Sequence, residues 1–326
     1  VVEPVPLERG YEAAQTGAIV VDRSDLGLLK FTGETRLALI HRMSTQGVND
    51  LASGEGAATI LTTDIGRMID RLLLYASSDA VYALTGEENA GAIARYLLRF
   101  VFFNDDFHLE DLSAETAVFG VYGATARESL RSLFGDAVEI PLHHWRQHTV
   151  GGVTVYLHRT DPVAGGGYFV MGDVADKEAI GQALAEAGIV RAGPEAFDYL
   201  RIESGLPRFG QEITQEYIPL EANLWADVSF TKGCYTGQEV IARMESRGRL
   251  AKQLAWLHPE GPVAAGTEIV ADGRMAGTVT SAATGPAGPV ALGYVKTRML
   301  DDDEATFSAG ETVLHPQRAT GSELDL

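Results

Sequence analysis

Between residues 231 and 252 the chain reads TKGCYTGQEVIARMESRGRLAK, which brings an ammonium, a thiol, a phenol, an amide and carboxylates within a few positions. Cys234 is the only cysteine. From Thr231 to Gln253, five cations (Lys232, Arg243, Arg247, Arg249 and Lys252) face two acids (Glu239 and Glu245), in a chain whose formal net charge is -19. A thiol gains nucleophilic character when nearby cations or a helix entrance favour its ionised form. Thr236 followed three residues later by Glu239 reads as a capping box. Val240, Ile241 and Met244 then recur at helical spacing until Gly248 stops the pattern. The expected helix is therefore entered just beyond Cys234 and Tyr235. Its unpaired N–H groups and positive dipole end would attract an anion. Arg243 and Arg247, four apart, share one face. The plainer alternative is a capped surface helix with a small, inert cysteine.

A second constellation lies upstream. Pro194 is placed as the first residue of a helix that buries Phe197 and Leu200 and ends at Gly205, which leaves Arg201 and Glu203 beside the segment GLPRFGQEI. Opposite charges at one turn either pair with each other or meet a ligand that has both donor and acceptor edges. Three other features carry less. His143, His144 and His148 lack the further ligands of a zinc site, and Pro141 and Trp145 interrupt any helix there, so no metal is expected. Gly165-Gly166-Gly167 has no following Lys-Ser/Thr and reads as a turn rather than a phosphate loop. Asp301 to Glu304 reads as a solvated turn.

These residues must be positioned by a chain of 326 residues, long enough for two or three domains. Hydrophobic residues at 45% and charged residues at 22% fit an ordered globular protein. No apolar run approaches the roughly 18 residues of a membrane span, and the start VVEPVPLERGYEAAQ has no signal pattern, so no membrane association and a cytoplasmic location are expected. One cysteine makes no intramolecular disulfide. The acidic balance argues against direct nucleic-acid binding. Strands are expected at 18–21 and 28–31, followed by a helix after Gly33 with Leu37, Ile40 and Met43 on one face. A hairpin at Asp64-Ile65-Gly66 should join 57–61 to 68–75. A strand at 80–84, a helix burying Ile93, Leu97 and Phe100, a strand at 118–121 and a helix carrying Ala126, Leu130 and Leu133 continue the alternation. Asp173 should cap the next helix. Beyond Gln253, short strands alternate with Gly and Pro turns, as in a small barrel. The fold class is thus α+β over 1–252, with an all-β domain over 253–326.

Three stretches resemble one superfamily. KGCYTGQEVIARMESRGR is similar to the signature of YgfZ-type folate-binding proteins, a branch related to the glycine-cleavage T-protein, an aminomethyltransferase. LRIESGLPRFGQEI with the following IPLEANL is similar to a stretch both branches share, and GTVTSAATGP…VALGYV resembles the T-protein barrel. The resemblance implies a ring of α+β lobes around a central tetrahydrofolate pocket. It implies binding of the folate derivative by Arg201, Glu203, Lys232, Tyr235, Gln238 and Arg247, with Cys234 and Lys232 carrying any chemistry. It also implies support of iron-sulfur cluster assembly or repair, with iron-sulfur proteins or their assembly factors as partners. The alternatives are aminomethyl transfer to tetrahydrofolate, or a non-catalytic folate sensor that regulates tRNA modification. Against transfer, the stretch GEENAGAIARYL lacks the acid/base Asp expected there, with Glu87 or Glu88 as substitutes, and VAGGGYFVM carries glycines where acids are expected.

Overall fold

The computed structural model describes residues 3–248 and 250–318. Its strands form three sheets. One runs, edge to edge, through Val190–Arg191, Ile19–Asp22, Thr116–Tyr122, Gly166–Asp173, Val153–Val163 and Trp145–Val150. The second runs through Gly56–Thr62, Met68–Ala76, Val81–Glu87, Leu26–Thr32 and His108–Asp111. Ile19–Asp22 and Leu26–Thr32 are neighbours in sequence but belong to different sheets, so the two lobes are intertwined.

Central strands are apolar at nearly every position because both faces are covered. In Thr116–Tyr122, Ala117, Phe119 and Val121 pack with Leu130 and Phe134 of the helix Ala126–Phe134 and with Ile180 and Leu184 of the helix Lys177–Glu186. Val118 and Tyr122 point the other way, into a core between the two sheets. Met68–Ala76 behaves alike. Leu72, Leu74 and Ala76 meet the helices Arg36–Met43 and Ala90–Leu98, while Leu73 and Tyr75 enter the inter-sheet core. Each fully buried Val, Leu, Ile or Phe among them contributes about 1.5–3 kcal/mol. The helix expected to bury Phe100 stops at Leu98, and Phe100 packs from beyond its end.

The hairpin pairs Gly56–Thr62 with Met68–Ala76 as expected. Asp173 accepts from the Ala175 N–H, capping a 3₁₀ turn before the helix Lys177–Glu186. Pro194 opens the helix Pro194–Glu203, which Gly205 ends in the left-handed region. The third sheet begins at Lys252. Its seven antiparallel strands, Lys252–Trp256 to Gln317–Arg318, enclose Ile269, Ala276, Val279, Ala291 and Val295 in a half-barrel.

Between Ser204 and Gly237 the only helical element is the 3₁₀ turn Trp225–Asp227. This connection is not superficial: Ile213, Tyr217, Ala222 and Leu224 are buried between the lobes and the half-barrel. Long irregular segments inside a compact fold are uncommon and often functional. Among the described residues, no helix is long and apolar enough to cross a membrane.

Candidate functional site

The KGCY segment is a clamped loop rather than a helix entrance. The helix Gln238–Arg247 starts after Gly237, whose φ of 82° is left-handed, and no side chain caps it. A Cβ on Gly237 would lie 2.5 Å from the Thr63 carbonyl oxygen and 2.8 Å from Gly66 Cα, so the hairpin turn occupies the space that a capping residue needs. Thr62 Oγ1 donates to the Thr236 carbonyl, and Glu239 pairs with Arg243 at 2.7 Å. The expected Thr236–Glu239 capping box is therefore not formed.

Lys232 Nζ donates to the carbonyls of His41, Ser44 and Gln46, the last at 2.9 Å, at the carboxyl end of the helix Arg36–Met43. Its three donors are thus used in holding the loop, where negative helix-end carbonyls favour a cation. Burial pushes its pKa down to about 8, which leaves it mostly charged at neutral pH. Lys232→Met should cost roughly 2–4 kcal/mol in chemical denaturation, because three carbonyls lose a charged donor. Lys232→Arg should recover only part of this, since a planar fork does not match three converging acceptors.

Tyr235 is buried against Ile218, Leu220, Val228 and Ile241, and burial pushes its pKa up to about 12. Cys234 is exposed, ahead of the helix and outside this cluster. Gln238 is the first helical residue, its backbone N–H donating to the Tyr235 carbonyl. The Arg247 side chain lies outside the described residues.

Arg201 and Glu203 do not pair with each other. Arg201 is 2% exposed and donates to Asp198 at 2.8 Å, Glu212 at 2.8 Å and Ser281 Oγ at 2.7 Å. Glu212 in turn accepts from Thr280 and Ser281, and its carbonyl accepts from Tyr294 OH. This network fastens the helix Pro194–Glu203 and GLPRFGQEI to the half-barrel. Glu203 accepts from Tyr11 OH at 3.1 Å and Gln15 Nε2 at 3.4 Å on the helix Leu7–Thr16. The two residues thus hold different elements together, and Arg201 also lines a small space that it shares with Arg208 and Phe209.

A cleft lies where the two lobes and the long connection meet. Its wide part, about 700 Å³, narrows into a space of about 100 Å³, and both are lined by Arg71, Thr160, Asp161, Leu206 and Pro207. Arg71 donates to Asp161 at 2.7 Å and to Asp227 at 2.6 Å, joining the two sheets and the 3₁₀ turn. Burial alone would raise the Asp161 carboxyl, but Arg71 beside it holds it down to about 2. At the narrow end Phe209 packs so closely on Gly86 that a Cβ there would lie 2.3 Å from the ring. Arg208 and Arg23 share Glu87 at 2.9 and 2.8 Å, so Glu87 is held in an ion-pair network.

Asp70 lines this narrow end and is 1% exposed. It accepts from the Gly86 N–H and Asn89 Nδ2, both at 2.9 Å, and from the Arg71 N–H at 2.8 Å. Burial outweighs these bonds and pushes its pKa up to about 6. A carboxyl poised there both accepts and releases a proton near neutral pH. The stretch GEENAGAIARYL, which has no Asp of its own, thus receives one from the neighbouring part of the fold. Asp70, in DIGRMIDRL, is not among the residues that the sequence singles out; the signal it carries there is a lone acid within the run 68–75.

The chain is similar to known proteins over nearly all its length. The model of the GCVT N-terminal domain matches residues 6–232, and that of the glycine cleavage T-protein C-terminal barrel domain matches 252–321. A chloroplastic protein of Arabidopsis thaliana bearing the name "putative transferase" is 27% identical over 309 residues, 94% of this chain and 71% of that one. An aminomethyltransferase of Halalkalibacterium halodurans is 26% identical over 320 residues, covering 96% and 86%. In fold, the glycine cleavage system aminomethyltransferase T of Bartonella henselae superposes with a TM-score of 0.83 at 20% identity, over 96% of this chain and 88% of that one.

Proposed function

The chain belongs to the glycine cleavage T-protein family, and from that premise we propose that it binds a tetrahydrofolate in the central cleft, with Asp70 handling a proton during one-carbon transfer. The observation that carries this reading is a buried carboxyl with a pKa of about 6 at the narrow end of the cleft. The rest of the lining suits the substrate. Asp161 and Asp227 retain lone pairs that would accept from a pterin edge, and Arg127 and Arg159 at the wide part would meet an anionic glutamate tail. Reduced folate supplies the amine that takes up the one-carbon unit. Asp70 would hold the exchanged proton on its carboxyl oxygen while Gly86 and Asn89 keep it oriented. With Asp70 in the cleft, the missing Asp of GEENAGAIARYL no longer argues against aminomethyl transfer. Titration with 5-formyltetrahydrofolate by calorimetry, beside an ammonia-release assay with an aminomethylated lipoyl carrier protein, tests both halves. No binding up to millimolar folate would remove the cleft as a folate site, and binding without ammonia release would remove transfer.

A second reading, the YgfZ-type role in iron-sulfur cluster assembly or repair, is favoured by one observation: Cys234 is exposed on a loop that Lys232 holds in place. Under it, Cys234→Ser should keep the fold and folate affinity yet fail to restore iron-sulfur enzyme activity in cells lacking the native protein. Serine is nearly the same size but far less acidic. Full rescue by the Ser variant would leave folate chemistry alone as the function.

A further inference from the structure

A third cavity, of about 530 Å³, lies between the two sheets and shares no lining residue with the central cleft. Aromatic rings form a continuous wall along it. Tyr82 is the cross-strand partner of Tyr75; the Tyr75 ring stands 4.0 Å from His158; His158 stacks on Trp145 at 6.0 Å; and Trp145 lies 5.7 Å from Tyr156. Trp145 Nε1 donates to the Ala76 carbonyl at 2.9 Å, which fixes the indole plane before any ligand arrives.

The charged side chains that line this cavity have one sign. Glu115, Asp173 and Asp176 line the cavity, and among the described residues no Lys or Arg does. His158 adds no positive charge, since burial pushes its pKa down to about 3. Two cations stand outside the lining: Lys177 pairs with Asp22 at 2.6 Å, and Lys30, which acts on the Tyr82 hydroxyl, pairs with Glu110 at 3.7 Å. Ring faces carry negative potential and carboxylates add to it, so the cavity complements a cation. The apolar walls select among cations. A primary ammonium keeps tightly held water that aromatic faces cannot replace, whereas a methylated ammonium gives up its hydration at lower cost and fills the space with methyl groups.

We infer that this inter-sheet cavity is a binding site for a small methylated ammonium compound, held by the rings of Tyr82, Trp145 and Tyr156 with Glu115 and Asp176 at its acidic side. This site is independent of the folate reading. The test is calorimetric titration of the full chain with choline and with 3,3-dimethyl-1-butanol, which has the same shape without the charge. Choline should bind at least about tenfold more tightly. Tyr156→Leu should weaken it by a similar factor. Glu115→Gln combined with Asp176→Asn, changes at the acidic side, should lower choline affinity severalfold and leave the neutral analogue unaffected. Saturating 5-formyltetrahydrofolate should not displace choline. Equal binding of the two probes would mean an apolar cavity only. Displacement by folate would move the cation to the central cleft, and no choline binding at tens of millimolar would exclude the site; each of these three results overturns the inference.

Discussion

Asp70→Asn is expected to lower folate-dependent one-carbon transfer by about 10² to 10⁴ while changing folate affinity by no more than about threefold. Asn preserves the shape of the side chain but neither accepts nor releases the proton. Single-turnover rates and calorimetric affinity, measured on the same preparations, separate the two effects. The wild-type rate should also titrate with an apparent pKa near 6, the value to which burial raises this carboxyl. Stability supplies an independent check. Because the folded-state pKa lies above the ordinary 3.8, the folded chain holds its proton more tightly than the unfolded one. The stability this brings is fully present below about pH 4 and lost as pH rises through about 6. Relative to Asp70→Asn, the wild type should therefore lose on the order of 3 kcal/mol between pH 4 and pH 7. A stability difference that does not change with pH would show that Asp70 titrates like a surface carboxyl and would withdraw it as the acid/base.

The second large effect is expected from Arg71→Met, which should destabilise the chain by about 3–5 kcal/mol at pH 7. Arg71 is the shared partner of Asp161 and Asp227, and its removal leaves two largely buried carboxylates facing each other without a cation. The loss spans three regions at once, because Met68–Ala76, Val153–Val163 and Trp225–Asp227 belong to the two sheets and the long connection. The sign of the pH dependence follows from Asp161. Its pKa is depressed to about 2 in the folded wild type, so the stability it contributes is present above the ordinary carboxyl range and disappears as pH falls through 2. The deficit of Arg71→Met should accordingly be largest at neutral pH and shrink below about pH 4, where the unpaired carboxyls take up protons. Denaturant unfolding at pH 7 and pH 3.5 reads both. Equal deficits at the two values would mean that lost packing, not charge, dominates.

Much of the architecture was legible because it is encoded between near neighbours in the chain. The short apolar runs at 118–121 and 57–61, the proline that starts the helix at 194, the glycine that ends it at 205 and the turn at Gly66 each act over a few residues. The change of texture after Gln253, from helical periodicity to short strands, likewise announced the half-barrel. The partners of charged and polar side chains were not legible. A lysine close to a cysteine reads as reactive, yet three carbonyls at and just beyond the end of a helix nearly two hundred residues upstream occupy all the donors of Lys232. Arg201 and Glu203 sit two apart on one helix end and serve different interfaces, because successive side chains of a helix diverge by about 100° and only the packed neighbours decide what each meets. Thr236 failed as a cap for the same kind of reason, since the hairpin turn at Gly66 takes the space beside Gly237. Sequence by itself determined many of the elements, their order and the family they resemble. Only the tertiary structure decided that Asp70, placed beside Gly86 and Asn89 and shut off from water, has its pKa pushed up to about 6, because a pKa shift is a property of burial and of partners brought together by the fold.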